Sequence, residues 1–383
     1  MVACVVGTRP EAIKTATVVA ALRALPGLET RLISTGQHAA LLTRALADFG
    51  LAPDVDLALM RPGQEPADVL ARGVVAVSDY LRSAPADLVI AQGDTTTVLA
   101  TALACHYLQT PFAHLEAGLR TGRAYDPFPE EKHRVLADHL ADRLYAPTAL
   151  ARRNLVREGI AADSIRVAGN TVVDALKSIA ARNPTLPFEP PTPRFILATT
   201  HRRENLGAPL ERICRALRTL LERDPTLALV LPTHPNPDVR ATVEALLAGR
   251  PRVLLVEPPA YPAFVALMRA AALVVTDSGG VQEEAPALGA AVVIVRETTE
   301  RPEALAAPLV RLSGTDVDTI VRDAEALLAL RDASNPSPTT SPFGDGHASL
   351  RVARDVAARF GLAIPPLPPG VPAEWDAAGD NAG

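Results

Sequence analysis

No run of lysine or arginine long enough to follow a phosphate backbone occurs in the 383 residues, and the net charge is only -5. Nucleic acid is therefore not an expected partner. Cysteine is scarce: Cys4, Cys105 and Cys214 lie far apart, with no CxxC pair and no Cys/His spacing suited to zinc. A reducing, cytoplasmic compartment fits that usage, and no metal site is expected. No stretch reaches the roughly 20 apolar residues that crossing a membrane requires. The start, VACVVG running into GTRPE, lacks the charged beginning and longer apolar core of a secretion signal, so no membrane association is expected. No repeat of solenoid period is present. What is present is a globular balance, 48% hydrophobic and 21% charged. The length exceeds what one core covers, which predicts two domains and a cleft.

Val2 to Val6 is an apolar run closed by Gly7, and Glu11 to Leu25 follows with helical spacing. The alternation recurs with strands at Arg31 to Ser34, Leu88 to Ala91 and Pro111 to Leu115, separated by helical segments such as Ala67 to Arg82 and Thr97 to Tyr107. Strands alternating with helices predict an α/β fold with a parallel, doubly wound sheet. The proline-dense NPTLPFEPPTP, Asn183 to Pro193, reads as a linker between a first domain over 1–182 and a second over 194–345. The second series has strands at Phe195 to Thr199, Ala228 to Leu231, Val253 to Val256, Leu273 to Thr276 and Val292 to Val295. A last helix within 346–362 is expected to pack back on the first domain, and 363–383 reads as a loose tail.

Ligands of open parallel sheets bind beyond the carboxyl ends of the strands. The chemically unusual residues fall at those ends. GTRPEAIK puts Arg9 and Lys14 at a helix start that favours anions, although isolated cations there also serve as solvated surface charges. QGDTTT places Asp94 at the next strand end, where it is either a functional acid or an N-cap. HLEAGLRTG places Glu116 at a third, past an apolar segment that would raise its pKa if it were buried there. DPFPEEKHR presents Glu130 and Glu131 in a first helical turn, one of them an ordinary dipole complement, with His133 and Arg134 behind. In the second domain His201 (TTHRREN) and His234 (LPTHPNP) stand at successive strand ends. TDSGGVQEEAPALG runs from a strand into Asp-Ser-Gly-Gly and a helix beginning near Val281, whose amides suit a diphosphate, with Glu284 one turn in for a ribose diol. Arg301, in RETTERPEAL, adds a cation. A nucleotide diphosphate is the ligand these groups suit.

Taken together, VVGTRPEAIK, TGQH, QGDTTT, HLEAGLRTG, PFPEEKHR, GNTVVDAL, THRREN, THPNP, TDSGGVQEEAPALG and TTERPEAL resemble the non-hydrolysing UDP-N-acetylglucosamine 2-epimerase family in order and spacing, from residue 2 to about 360. The resemblance implies two Rossmann-like lobes in a GT-B-type arrangement with the active site in the cleft, a homodimer, a UDP-amino sugar substrate, and neither metal nor nicotinamide cofactor. It implies reversible epimerisation of UDP-GlcNAc to UDP-ManNAc by anti elimination of UDP to 2-acetamidoglucal and syn re-addition. By position, Asp94, Glu116, Glu130 and His201 match the family's catalytic residues. Arg9, Lys14, Arg134, His234, Phe264, Ser278, Gly279, Gly280, Glu284 and Arg301 match its substrate-binding positions, with Phe264 beside the uracil. Glu116 and Asp94 both remain candidates for the proton-transferring group, while His201 and Arg9 would stabilise the leaving phosphate.

His133 stands where the family usually has Asn, Thr200 where it usually has Gly, and Pro259 where some members carry Gln. The first two adjoin the catalytic positions and bear on which sugar is accepted. Ala39, Ala40 and Gly63 lack the polar groups through which some members bind a second UDP-GlcNAc, so such activation is not expected. Rival readings are a C2 epimerase of a modified UDP-amino sugar in polysaccharide or antibiotic biosynthesis, a hydrolysing epimerase, a GT-B glycosyltransferase, and an inactive UDP-sugar sensor. The acid-rich first domain argues against a transferase, and the retained acids argue against a sensor.

Overall fold

A computed structural model of the chain describes residues 1–375, apart from 37–38, 62, 201, 203–204, 234–235 and 335–340. The chain divides into two compact units, 1–177 with 342–383 and 178–341.

The first unit is built on a seven-stranded, all-parallel sheet of β1 (Val2–Val6), β2 (Thr30–Ser34), β3 (Val55–Asp56), β4 (Leu88–Gln92), β5 (Phe112–Leu115), β6 (Arg143–Ala146) and β7 (Ile165–Val167). Their order is β3-β2-β1-β4-β5-β6-β7. β1 and β4 are apolar along almost their whole length and buried throughout, as expected of parallel strands covered on both faces. Val5 lies between Ile33 of β2 and Ala91 of β4, which sets the register at the sheet centre. From β1 the chain winds outward through β2 and β3, and from β4 it winds the other way through β5, β6 and β7. Right-handed crossovers therefore put the early and later helices on opposite faces. Helix Arg9–Arg23 packs with Ala39–Ala47, whereas Pro66–Ser83, Thr96–Leu108 and Glu130–Leu140 pack side by side. The winding reverses between β1 and β4, and their carboxyl ends open a crevice there.

Helix Ala348–Arg359 belongs to this unit and packs on Arg9–Arg23. Its amino end is held by Asp174, which accepts from the amides of Ala348 (3.2 Å) and Ser349 (2.7 Å). Beyond it the Trp375 amide donates to the Val167 carbonyl at 2.7 Å.

The second unit repeats the plan with six parallel strands in the order β10-β9-β8-β11-β12-β13. They are β8 (Arg194–Thr199), β9 (Leu227–Pro232), β10 (Val253–Val256), β11 (Leu273–Thr276), β12 (Val292–Ile294) and β13 (Val310–Leu312). Its core joins Ile196, Leu229, Val275 and Val293 of the sheet to Ile213, Leu217 and Leu220 of helix Ala208–Arg223. The winding reverses between β8 and β11. Each unit is thus a Rossmann-like doubly wound sheet, the α/β class the sequence predicted. β3, β6, β7 and β13 were not foreseen, β3 being two residues long and the others three or four with an arginine in each. Among the described residues no helix is long and apolar enough to cross a membrane.

Candidate active site

The first unit gathers its charged residues around the crevice between β1 and β4. The turn after β1 is tight: a Cβ on Gly7 would come within 2.1 Å of the Thr97 hydroxyl, so only glycine fits. Arg9 opens the following helix, part-exposed. Glu11, which the motif reading left without a role, is buried and draws three segments together. Its Oε2 accepts from the amides of Gly7 (2.5 Å) and Thr8 (2.9 Å), and its Oε1 accepts from the Thr95 hydroxyl. Burial pushes its carboxyl up to about 7, although these donors pull the other way.

Asp94 follows β4 in a turn opened by Gly93 at φ +90°. It is not the N-cap: that place is taken by Thr95, whose hydroxyl accepts from the Thr97 amide at 3.2 Å. The Asp94 carboxylate is instead ion-paired with Arg134 and keeps 27% of its side-chain surface exposed. Arg134 also donates to Glu131 at 3.2 Å, and Glu131 accepts from the amides of Thr121 (3.0 Å) and Gly122 (3.0 Å). Glu131 is therefore the structural member of the Glu pair. Glu130, part-exposed, stands at the head of the same helix. His133 lies beside Asp94, its Nδ1 donating to the Asp94 carbonyl at 3.2 Å.

Glu116 occupies the residue after β5 with φ +67°. Left-handed backbone costs a non-glycine residue about 1 kcal/mol, so a glutamate persists there on account of its side chain. The apolar surroundings expected from its position are not what it meets. Its Oε2 pairs with Lys14 and accepts from the side-chain nitrogens Gln92 Nε2 (2.8 Å) and Asn170 Nδ2 (3.1 Å). Lys14, expected among the substrate-binding residues, thus stands against Glu116 with a side chain 9% exposed. Gln92 and Asn170 lie within QGDTTT and GNTVVDAL, where the signal for them is a polar residue closing an apolar strand or opening a helix.

Below the turn, His114 of β5 is fully buried between Asp138 and a backbone carbonyl. Its Nδ1 lies 2.6 Å from Asp138 Oδ1 and its Nε2 lies 2.6 Å from the Gly93 carbonyl. Burial works against a charged ring, but Asp138 and the carbonyl outweigh it and hold the pKa above the usual histidine value. Two acceptors against two ring nitrogens make this an imidazolium. His133 differs: burial pushes its pKa down.

In the second unit, β11 runs into Asp277, Ser278 and the helix Gly279–Ala287. Asp277 Oδ2 accepts from the Arg202 amide (3.0 Å) and Asn205 Nδ2 (2.9 Å), tying the loop after β8 to this turn. A Cβ on Gly279 would lie 2.7 Å from Arg301 Nη1, so the guanidinium is laid directly over the glycine turn. A Cβ on Gly280 would meet Glu284 Oε2 at an ordinary 3.7 Å. Arg301 itself is buried between carboxylates, donating to Glu283 (2.5 Å) and Glu300 (2.5 Å), and Arg296 donates to Glu300 at 2.8 Å. Glu284 accepts from the Tyr261 hydroxyl at 2.6 Å, and Phe264 sits part-exposed one turn along the helix that Tyr261 begins. His201 and His234 lie outside the described residues. Among the described residues no group of His, Cys, Asp and Glu is arranged to hold a metal ion.

Doubly wound parallel sheets with glycine-opened turns at their strand ends define a Rossmann-like protein. Comparison with known proteins is more specific. Residues 20–357 match the family described as UDP-N-acetylglucosamine 2-epimerase. A probable UDP-N-acetylglucosamine 2-epimerase of Ralstonia solanacearum is 45% identical over 93% of this chain and 98% of its own, and the Escherichia coli K12 enzyme is 43% identical over 91% and 96%. Among solved structures, the Neisseria meningitidis UDP-GlcNAc 2-epimerase bound to UDP-GlcNAc matches with a TM-score of 0.89 at 36% identity, covering 93% of this chain and 99% of that one. The chain belongs to the UDP-N-acetylglucosamine 2-epimerase family, a family of isomerases. A trehalose 6-phosphate synthase from Burkholderia multivorans, at 14% identity and a TM-score of 0.55 over 94% of this chain and 99% of that one, shares the fold alone.

Proposed function

We propose that the protein interconverts UDP-N-acetylglucosamine and UDP-N-acetylmannosamine by inverting carbon 2. What carries the reading is the pair of carboxylates, Asp94 and Glu116, at adjacent strand ends, each against its own cation, in a chain of this family. Hydrogen at carbon 2 is not acidic enough to leave alone, so its removal must be coupled to departure of the anomeric diphosphate. In the elimination a carboxylate takes the C2 proton, the C1–C2 double bond forms, and UDP leaves with the C1–O electron pair. Re-addition reverses these steps with the proton delivered to the other face of the planar intermediate. One proton must leave one face and another arrive at the opposite face, which calls for two carriers. Asp94 and Glu116 are those carriers. Arg9 and His201 stabilise the leaving diphosphate, and the Ser278–Gly280 turn, Glu284, Phe264 and Arg301 serve the nucleotide.

The test is incubation with UDP-GlcNAc in deuterated water, followed by proton NMR. UDP-ManNAc carrying deuterium at carbon 2, without accumulating free sugar, is the expected result. An unchanged substrate with no deuterium uptake would overturn the assignment and move a modified UDP-amino sugar to first place.

A further inference from the structure

Two histidines meet at the Asp94 turn from different elements. His114, in the middle of the sheet, directs Nε2 at the Gly93 carbonyl (2.6 Å). Its other nitrogen meets Asp138, whose second oxygen accepts from the Gly118 amide (3.1 Å) and from Arg120 (2.7 Å), itself bonded to Glu158 (2.6 Å). The ring cannot swing without breaking that chain. His133, on the helix Glu130–Leu140 that also carries Asp138, donates from Nδ1 to the next carbonyl, that of Asp94 itself (3.2 Å). Arg134, the following residue, takes the Asp94 carboxylate. Consecutive carbonyls of a turn whose first residue lies at φ +90° thus each receive an imidazole N–H, one from below and one from the flanking helix.

We propose that His114 and His133 are positioning residues that fix the Gly93–Asp94 turn, and through it the Asp94 carboxylate, by donating to these two consecutive carbonyls. The inference rests on the reading of Asp94 as a proton carrier. Neither ring is assigned contact with substrate. A carboxylate that must meet a carbon-bound proton is sensitive to placement, and a shift of about 1 Å at a reacting group can cost on the order of 100-fold in rate.

The test uses amide side chains that keep one imidazole donor and drop the other. In His114→Gln the amide nitrogen falls near the Nε2 position and can still reach the Gly93 carbonyl. In His114→Asn it falls near Nδ1, keeps Asp138 and loses the carbonyl. His133→Asn retains a donor at the Nδ1 position, and His133→Leu does not. The expected result is that kcat for epimerisation falls on the order of 100-fold in His114→Asn and His133→Leu. His114→Gln and His133→Asn should stay within about fivefold of wild type, with KM changing less than about threefold throughout. Thermal unfolding is recorded for each. A loss that is equal within both pairs, that lies in KM, or that follows Tm across the four variants overturns the proposal. Should the His114 variants fail to fold, the more accessible His133 pair decides alone. Asp94→Asn is measured alongside: if it retains wild-type activity the reading of Asp94 fails and takes the proposal with it, whereas an inactive Asp94→Asn with undivided histidine pairs refutes the positioning role by itself.

Discussion

Lys14→Met keeps the length and apolar stem of the side chain and removes only the ammonium that sits against Glu116. Both partners are nearly withdrawn from water, with side chains 9% and 6% exposed, so solvent screens the pair little. Breaking a buried pair from one side typically costs 3–5 kcal/mol, because the remaining charge has lost both water and partner. Here Gln92 and Asn170 still donate to the same carboxylate oxygen, which places the expectation at the low end, about 3 kcal/mol. For a unit of this size that corresponds to a fall in Tm of roughly 6–12 °C. The partner substitution separates cause from coincidence. Lys14→Met with Glu116→Gln removes both charges and should return to within about 1 kcal/mol of wild type, although it will be inactive. Urea unfolding of the wild type, both single variants and the double variant measures the cycle. A Lys14→Met cost below about 1 kcal/mol, or a double variant no more stable than Lys14→Met, would refute the view that Lys14 is there for the charge of Glu116.

Asp174→Ala removes the acceptor for the Ala348 and Ser349 amides and should destabilise by about 1–2 kcal/mol, with hydrogen exchange at those two amides accelerated; unchanged exchange would contradict it. Arg301→Met takes the guanidinium from the buried Glu283 and Glu300 and should destabilise by about 3 kcal/mol, and a neutral effect in urea unfolding would show that the neighbouring cations, Arg296 and Arg202 against Glu300, suffice. Glu11 has a folded-state pKa raised from 4.5 to about 7, so the unfolded chain releases this proton first and stability falls as pH rises between those values, by up to ~3 kcal/mol. The decline between pH 5 and 7 should be shallower in Glu11→Gln, and equal slopes in the two proteins would refute that origin.

The strand ends were readable because parallel strands are apolar along their length and change character abruptly where they leave the sheet. Asp94 and Glu116 were found that way. Their pairings with Lys14 and Arg134 were not, since local pattern carries no information about contacts that span the fold: Lys14 and Glu116 are 102 positions apart. Asp94 could be read as a cap until the geometry gave that place to Thr95, one residue on, a distinction that depends on backbone direction and not on residue type. Arg301 shows the same limit from the other side. Its charge was visible in TTERPEAL, but its burial between Glu283 and Glu300 comes from the packing of a loop against a helix. Glu11 and His114 lay within recognised motifs and escaped notice because their work, joining turns beneath the site, leaves no periodicity.

The winding of the first sheet bears directly on an inversion. Gln92 of β4 is paired with Leu115 of β5, so Asp94 and Glu116 emerge at nearly the same height on strands about 5 Å apart. Left to themselves, two acids so close would repel and approach a ligand from the same side. Their cations come from different places: Lys14 from the helix after β1 and Arg134 from the helix after β5, on opposite faces of the sheet because the winding reverses between β1 and β4. Each ion pair thus ties its carboxylate to a different helix, and on the function proposed above the two acids would serve the two faces of one planar intermediate. Each carboxylate should then serve one epimer. An enzyme lacking one carrier can still eliminate from the epimer the other serves and return a deuteron to the same face, exchanging carbon 2 without inverting it. Asp94→Asn and Glu116→Gln, each incubated in deuterated water with UDP-GlcNAc and separately with UDP-ManNAc, should show opposite preferences for which sugar gains deuterium. If both variants exchange the same sugar, or one retains full inversion, a single group serves both faces and the pair has another purpose.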